Sequence, residues 1–255
     1  PEAVIGSFAS DHLIKNKEEF LKVIEASFAE AAKGENIVTV GIPPSKADDG
    51  LGYIHIGKQL DISLKKPVFA VRSYVEKPDL TLAKAFVASG EYFWNASYFI
   101  ACAQTFITAY KNFLPKVWEV LEKMTQQAPG EQEKLWRKMS SIAIDYGIME
   151  KAKNIVMIPG DFSWSDLGSW PILYEVFPAS VNGNVFLGEV GGKHVGIDTK
   201  DCLIYGDKRL IATIGVSDLV VIDTKDVVLI TTRARAQEVK KIVEKLKSEE
   251  KTEYI

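Results

Sequence analysis

Apolar residues first form a strand-length run from Ala3 to Ala9, then recur at Phe20, Leu21, Ile24 and Phe28. The second pattern is a helical stripe within Lys17 to Lys33, which Gly34 ends. Ile37 to Ile42 is another strand-length run. Strand, helix and strand at this spacing predict a right-handed crossover in a parallel sheet, with ligand chemistry at the carboxyl ends of the strands. Asp11, followed by His12, stands at such an end. A turn or N-cap role fits it equally well.

Pro43 to Gly52 is rich in proline, aspartate and glycine and reads as a loop. Tyr53 to Ile56 and Val68 to Val75 alternate as half-buried strands. Glu76-Lys77-Pro78 follows, and Leu80, Leu82, Ala83 and Phe86 mark a helix that Gly90 closes. A Glu-Lys pair on a proline turn is either an exposed salt bridge or a device that sets an ammonium on a phosphate and a carboxylate on a sugar hydroxyl. Phe93-Trp94-Asn95-Ala96-Ser97 precedes a predicted strand, Tyr98 to Ala101. The Asn95 amide suits vicinal hydroxyls, and an Asx turn explains it as well.

Thr105 to Met124 is helical with a break near Pro115, and a polar gap from Thr125 to Gln132 separates it from another helix. In the segment Ile144 to Lys151, Asp145 and Glu150 are too dilute a signal to be assigned catalysis. The apolar run Ile155 to Ile158 leads into Phe162-Ser163-Trp164-Ser165-Asp166-Leu167-Gly168-Ser169-Trp170, where one carboxylate sits between two tryptophans. Burying Asp166 there would be costly without a cation or several donors. Asp11 and Asp166 together would suit a magnesium site that also holds phosphate, while a cap on the helix starting near Ser169 is the plainer reading of Asp166.

Beyond Phe177, short apolar runs alternate with polar turns from Asn184 to Thr231, which predicts a small all-β unit of partial β-helix type. Val239, Ile242, Val243 and Leu246 then share one face of a final helix. The expected organisation is an α/β domain over residues 1–177 and a β-rich appendage over 178–255.

Composition narrows the function classes. The 255 residues carry a formal charge of −3 with no dominant run of either sign, which argues against a nucleic-acid footprint. Cys102 and Cys202 are too few for a disulfide framework or a cysteine-based zinc site, and fit a reducing compartment. With neither a bilayer-length apolar segment nor a basic-then-apolar start, the reading is a cytoplasmic protein that does not engage membranes.

Six motifs in order, Ser10-Asp11-His12, Gly52-Tyr53-Ile54, Val75-Glu76-Lys77-Pro78, Trp94-Asn95-Ala96-Ser97, Ile144 to Lys151 and Trp164 to Trp170, resemble the sugar-phosphate nucleotidyltransferases. Within that family the resemblance is best to the guanylyltransferases that act on mannose 1-phosphate. It implies a Rossmann-like α/β sheet with helices on both faces, and transfer of GMP from GTP to mannose 1-phosphate with release of pyrophosphate. It also implies Mg2+ held by Asp11 and Asp166, Lys77 on the sugar phosphate, and Gly52, Tyr53, Glu76 and Asn95 around the sugar. Relatives often dimerise through the β-rich unit, so a homodimer is expected.

Departures accompany the match. The family pattern G-G-x-G-T-R-L, which wraps the triphosphate, does not occur in this sequence; Gly191-Gly192 lies late, in the β-rich part. Ser10 stands where a smaller residue is usual, and Ala96-Ser97 where Ser-Gly is common. The expectation is therefore a chain carrying the metal and sugar-phosphate half of the site, with little turnover alone. The alternative is an inactive sugar-phosphate-binding or interaction module of the same family.

Overall fold

The computed structural model describes residues 2–190 and 193–254, so Gly191 and Gly192 lie outside the described residues. The chain divides into two compact units, 1–164 and 165–255.

The first unit contains β1 (Val4–Ser7), β2 (Leu13–Ile14), α1 (Lys17–Ala31), β3 (Ile37–Ile42), β4 (Tyr53–Ser63) and β5 (Lys66–Val75). It continues through α2 (Leu80–Ser89), β6 (Tyr92–Cys102), α3 (Ala103–Phe113), α4 (Pro115–Met124), α5 (Pro129–Lys138), a π-helical turn at Asp145–Met149 and β7 (Ile155–Pro159). The strands form one mixed sheet in the order β1-β6-β3-β7-β5-β4, with β4 also pairing β6. Pairings among β3, β6, β4, β5 and β7 thus return on themselves.

The crossover from β1 through α1 to β3 does not make those strands neighbours. β6 lies between them, antiparallel to both, and the strand that pairs in parallel with β3 is β7. The apolar runs specify two strands but carry no information about a third that enters later in sequence. Asn95 also corrects the reading of residues 93–97. It lies inside β6, which runs eleven residues, and not in a turn before it. The register between β3 and β6 shifts between Thr39 and Gly41, and Ser97 adopts a left-handed backbone with φ 54°. Turn chemistry is thus present, as a bulge within a strand.

Helices cover both faces of the sheet. On one face, Val23 and Ala26 of α1 and Ala83 and Phe86 of α2 join Val38, Val40 and Tyr53 in a buried cluster. On the other, Ala109 of α3 and Ile148 and Met149 of the π-helical turn join Ile37, Phe99 and Met157. Asn16 caps α1 by accepting the Glu19 N–H at 3.1 Å, a contribution of about 1 kcal/mol. Asp79 does the same for α2, accepting the Leu82 N–H at 2.9 Å. Gly90 closes α2 at φ 70°, a conformation that favours glycine.

β8 (Trp164–Ser165) lies at the division, and the second unit continues with α6 (Trp170–Val176). Then come β9 (Val185–Gly188), β10 (His194–Ile197), β11 (Leu203–Gly206), β12 (Ile211–Ile214), β13 (Leu219–Asp223), β14 (Val228–Thr232) and α7 (Val239–Ser248). β9, β11 and β13 stack in parallel as one wall, while β10 and β12 pair in parallel as another, which is β-helical coiling. Asn184 bonds two successive coils: its Nδ2 donates to Thr199 O at 2.9 Å and its Oδ1 accepts from Cys202 N at 3.0 Å. The compact units divide before the expected boundary at Phe177, because Trp170, Leu173 and Tyr174 of α6 pack on Leu203, Val220 and Ile222. Among the described residues no helix is long and apolar enough to cross a membrane.

Candidate functional site

Strand register brings five of the sequence-predicted residues to one end of the sheet. Tyr53 of β4 lies opposite Val75 of β5 and opposite Trp94 of β6. Gly52 therefore stands between Glu76, which follows β5, and Asn95 of β6. Its carbonyl accepts the Asn95 N–H at 2.8 Å. A Cβ at position 52 would collide with a carboxylate oxygen of Glu76, so glycine is what lets that side chain lie across the strand.

Lys77 follows at φ 47°, and its Nζ lies 2.9 Å from Glu76 Oε1. Glu76 is mostly buried, with 13% of its side chain exposed, whereas Lys77 is 57% exposed and free to turn outward. The Glu76 carboxylate holds the Lys77 ammonium above the usual lysine range. Pro78 is buried and Asp79 caps α2, so the Glu-Lys pair is fixed between a strand end and a helix start.

Asn95 is 4% exposed, and its amide is divided in function. Oδ1 accepts the Ser97 N–H at 2.9 Å, closing an Asx-type turn. Nδ2 donates to Asp145 Oδ1 at 3.1 Å and to Ser97 Oγ at 3.2 Å. The Asx turn is therefore present, and the amide nitrogen is held by Asp145 and Ser97.

Asp145 is the group that sequence reasoning passed over. It opens the π-helical turn, a type of irregularity that often marks functional positions. Burial raises its pKa, and the nearby Glu76 charge adds to the effect, while the Asn95 amide and Lys77 oppose it. Tyr74 is buried below, its phenol pushed well up by burial and then by the Asp145 charge. Two carboxylates, one ammonium and one amide therefore converge around Gly52. Such a set can take up several hydroxyls of a sugar and the phosphate attached to it.

The proton balance of Asp145 gives a pH prediction. Folding raises its pKa, so the folded state binds the proton more tightly than the unfolded chain. Stability from this group therefore falls as pH rises from the ordinary value of 3.8 through the raised folded value. Asp145→Asn keeps an acceptor for Asn95 and removes the charge. It is expected to raise the thermal midpoint at pH 7, with the gap to the wild type closing below about pH 3.8. Thermal unfolding of both proteins across pH 3 to 8 reads this, and a gap that widens on acidification would exclude it.

Tyr53 lies in the same region but is fully buried, with its ring 5.4 Å from that of Phe86. Its hydroxyl donates to Asp48 O and accepts from Asp48 N, both at 3.0 Å. It anchors the loop of residues 43–52 and so positions Gly52.

Asp11 is exposed beyond the end of β1. Its neighbour His12 accepts at Nδ1 from Trp164 Nε1–H at 3.1 Å and lies 3.1 Å from the Tyr98 hydroxyl. An acceptor at Nδ1 assigns the ring proton to Nε2. Burial, and after it the Asp11 charge, raises the Tyr98 phenol. Lys15 and Asn16 donate their N–H groups to Ser163 O and Phe162 O at 3.4 and 3.1 Å, fixing the chain after Asp11 along residues 162–164.

Asp166 belongs to the second unit and is half-buried. Its Oδ1 accepts the Gly168 N–H at 3.2 Å, and Ser165 Oγ accepts the Leu167 N–H at 3.2 Å. Leu167 adopts φ 51°, and a Cβ at Gly168 would stand 2.6 Å from Asp166 Oδ2. The glycine therefore leaves room for the carboxylate. Ser169, just before α6, makes no side-chain cap bond. Neither Asp11 nor Asp166 has a lysine or arginine partner among the described residues.

Comparison with known proteins gives concordant matches. The nucleotidyl transferase family matches residues 2–182, and the mannose-phosphate isomerase/GMP-like beta-helix domain matches residues 192–246. A putative mannose-1-phosphate guanylyltransferase of Vibrio cholerae serotype O1 is 36% identical over 259 residues, covering 99% of this chain and 54% of that protein. The mannose-1-phosphate guanylyltransferase of Klebsiella pneumoniae is 36% identical over 252 residues, covering 96% of this chain and 52% of that protein. The chain thus spans about half the length of the curated relatives it matches. Among solved structures, one described as mannose-1-phosphate geranyltransferase from Thermus thermophilus superposes with a TM-score of 0.81 at 32% identity. That match covers 96% of this chain and 70% of the other. Mannose-6-phosphate isomerase from Helicobacter pylori gives a TM-score of 0.56 at 26% identity, covering 64% of each chain.

Proposed function

The chain belongs to the nucleotidyl transferase family, and on that premise we propose that it transfers GMP from GTP to mannose 1-phosphate, giving GDP-mannose and pyrophosphate. The observation that carries this reading is the convergence of Glu76, Lys77, Asn95 and Asp145 around Gly52. In-line transfer needs no covalent nucleophile on the protein. An oxygen of the sugar phosphate attacks the α-phosphorus of GTP, the bond to the β-phosphate oxygen breaks, and pyrophosphate leaves. The protein's task is alignment and charge neutralisation.

In this reading, the exposed Lys77 ammonium turns from Glu76 to the phosphate of mannose 1-phosphate. Glu76 and Asp145 accept hydrogen bonds from sugar hydroxyls. Gly52 leaves the sugar close to the backbone, and Tyr53 keeps the loop of residues 43–52 in place. Mg2+, which the family resemblance assigns to Asp11 and Asp166, would when bound supply Lewis acidity to the reacting phosphates. His12, fixed by Trp164 and Tyr98, keeps the Asp11 turn in position. The reaction belongs in the cytoplasm, and the protein is a homodimer formed through the second unit. Val195, Ile197 and Ile214 there are 56%, 57% and 71% exposed, a patch that a second copy would cover.

Calorimetric titration of the chain with mannose 1-phosphate, with and without magnesium, tests the reading. Binding in the micromolar to millimolar range is expected, with Lys77→Ala weakening it about tenfold or more through loss of the phosphate contact. Sedimentation of the same preparation as a dimer is expected. A folded chain that fails to bind mannose 1-phosphate would overturn the assignment. Binding without GDP-mannose formation from GTP, in the longest soluble form of the protein, would favour a sugar-phosphate-binding module.

A further inference from the structure

A groove of about 630 Å3 opens at the other end of β3 from the Gly52 cluster. Asn95 lies opposite Gly41, near the end of β3, whereas the groove is lined by residues that precede Ile37 and Ile155, the paired first residues of β3 and β7. The length of β3 separates the two places by roughly 13 Å or more. The volume falls in the range of pockets that enclose a small molecule.

One wall is α3, where Gln104, Thr108 and Asn112 recur at intervals of four and form a polar row, with Phe113 beside them. The facing wall is the chain after the π-helical turn, which supplies Lys151 and Lys153. Neither ammonium has an ion-pair partner among the described residues, and the Asn112 amide has no hydrogen-bond partner there. Glu35 is the one acidic lining residue, so the groove carries an excess of positive charge. The other polar groups are already set in place. Asn154 Nδ2 donates to Glu35 O at 2.9 Å, and Thr105 Oγ1 donates to Gly34 O at 2.9 Å.

We infer that this groove is a second binding site, taking a small phosphate ester, with the phosphate on Lys151 and Lys153 and its hydroxylated or heterocyclic body along Asn112, Thr108 and Phe113. Both walls continue into the Gly52 cluster. α3 follows directly on β6, which carries Asn95, and Lys151 follows the turn that Asp145 opens. Ala109 and Phe113 of α3 pack in one cluster with Ile148 and Met149 of that turn. Occupancy would therefore bear on two elements that hold the Asn95–Asp145 pair.

The test is calorimetric titration of the chain with GMP and, separately, with ribose 5-phosphate. Binding of at least one probe is expected, weakened about tenfold or more by Lys151→Glu/Lys153→Glu and unchanged by Glu76→Ala. Tighter binding of GMP would identify a nucleobase-bearing ester, and equal binding a sugar phosphate; each supports the site. The lysines are exposed, so charge reversal leaves the fold intact, and Thr108→Trp, which fills the groove from an exposed helix position, gives an independent second variant. Binding that survives both variants, or no binding of either probe at about 10 mM, overturns the inference.

Discussion

Glu76→Ala is expected to weaken mannose 1-phosphate binding about a hundredfold, the largest effect of any single side chain near Gly52. A hydrogen bond to a charged acceptor contributes about 1.5–3 kcal/mol, and about 2.7 kcal/mol corresponds to a hundredfold change in affinity. Glu76 also holds the Lys77 ammonium at 2.9 Å, so its removal costs the position of the phosphate contact as well. Glu76→Gln preserves shape and one acceptor oxygen, and is expected to lose about tenfold. A second consequence separates this role from a merely structural one. Without the Glu76 charge, one cause of the raised Asp145 pKa disappears, so the pH dependence of stability flattens in Glu76→Ala. Calorimetry and thermal unfolding over pH 3 to 8 read both effects. Wild-type affinity in Glu76→Ala would remove Glu76 from the sugar site.

The sequence made the local elements legible and left their arrangement obscure, for a physical reason. Periodicity reports which face of an element is buried, so α1, α2 and the β-helical strands could be read from it. Neighbour identity depends on long-range pairing, to which the apolar run Ile37–Ile42 is indifferent. It packs equally well beside β6 or β1, and only the strand pairing shows β6 between them. The domain boundary was obscure in the same way, because the stripe of α6 does not state which core receives Trp170 and Leu173.

For the candidate site, Glu76-Lys77 and Trp94-Asn95 were visible because each pairs an unusual residue with a turn signal, whereas Gly52-Tyr53 stood out only through the family resemblance. Asp145 was not, since nothing local distinguishes it from any acidic residue at a helix start. Its significance comes from two partners that are remote in sequence, Asn95 and Glu76. Tyr53 shows the converse. The resemblance placed it around the sugar, and its full burial and two bonds to Asp48 make it a support for the loop that positions Gly52.

Gly52→Ala is expected to disrupt the same cluster without touching a charged group. Position 52 does not require a left-handed backbone; the constraint is the Glu76 carboxylate, which occupies the space a methyl group would fill, with Asn95 Cβ at 3.4 Å on the other side. The carboxylate must swing away, carrying Lys77 out of register, or β4 must shift and strain the Gly52 O to Asn95 N–H bond. The obstructing atom is the end of a flexible side chain, so the stability cost lies at the low end of overpacking, about 1 kcal/mol, while the loss of Glu76's position predicts a fall in mannose 1-phosphate affinity close to that of Glu76→Ala itself. Coupling between the two positions makes the argument specific. In Gly52→Ala/Glu76→Ala the obstructing carboxylate is gone, so stability should recover toward that of Glu76→Ala while binding stays lost, a non-additive result. Urea unfolding of the four proteins in this cycle measures the coupling, and calorimetry measures the binding. Additive stability losses would mean that the methyl group finds room elsewhere, and that glycine at 52 is not what allows Glu76 to lie across the strand.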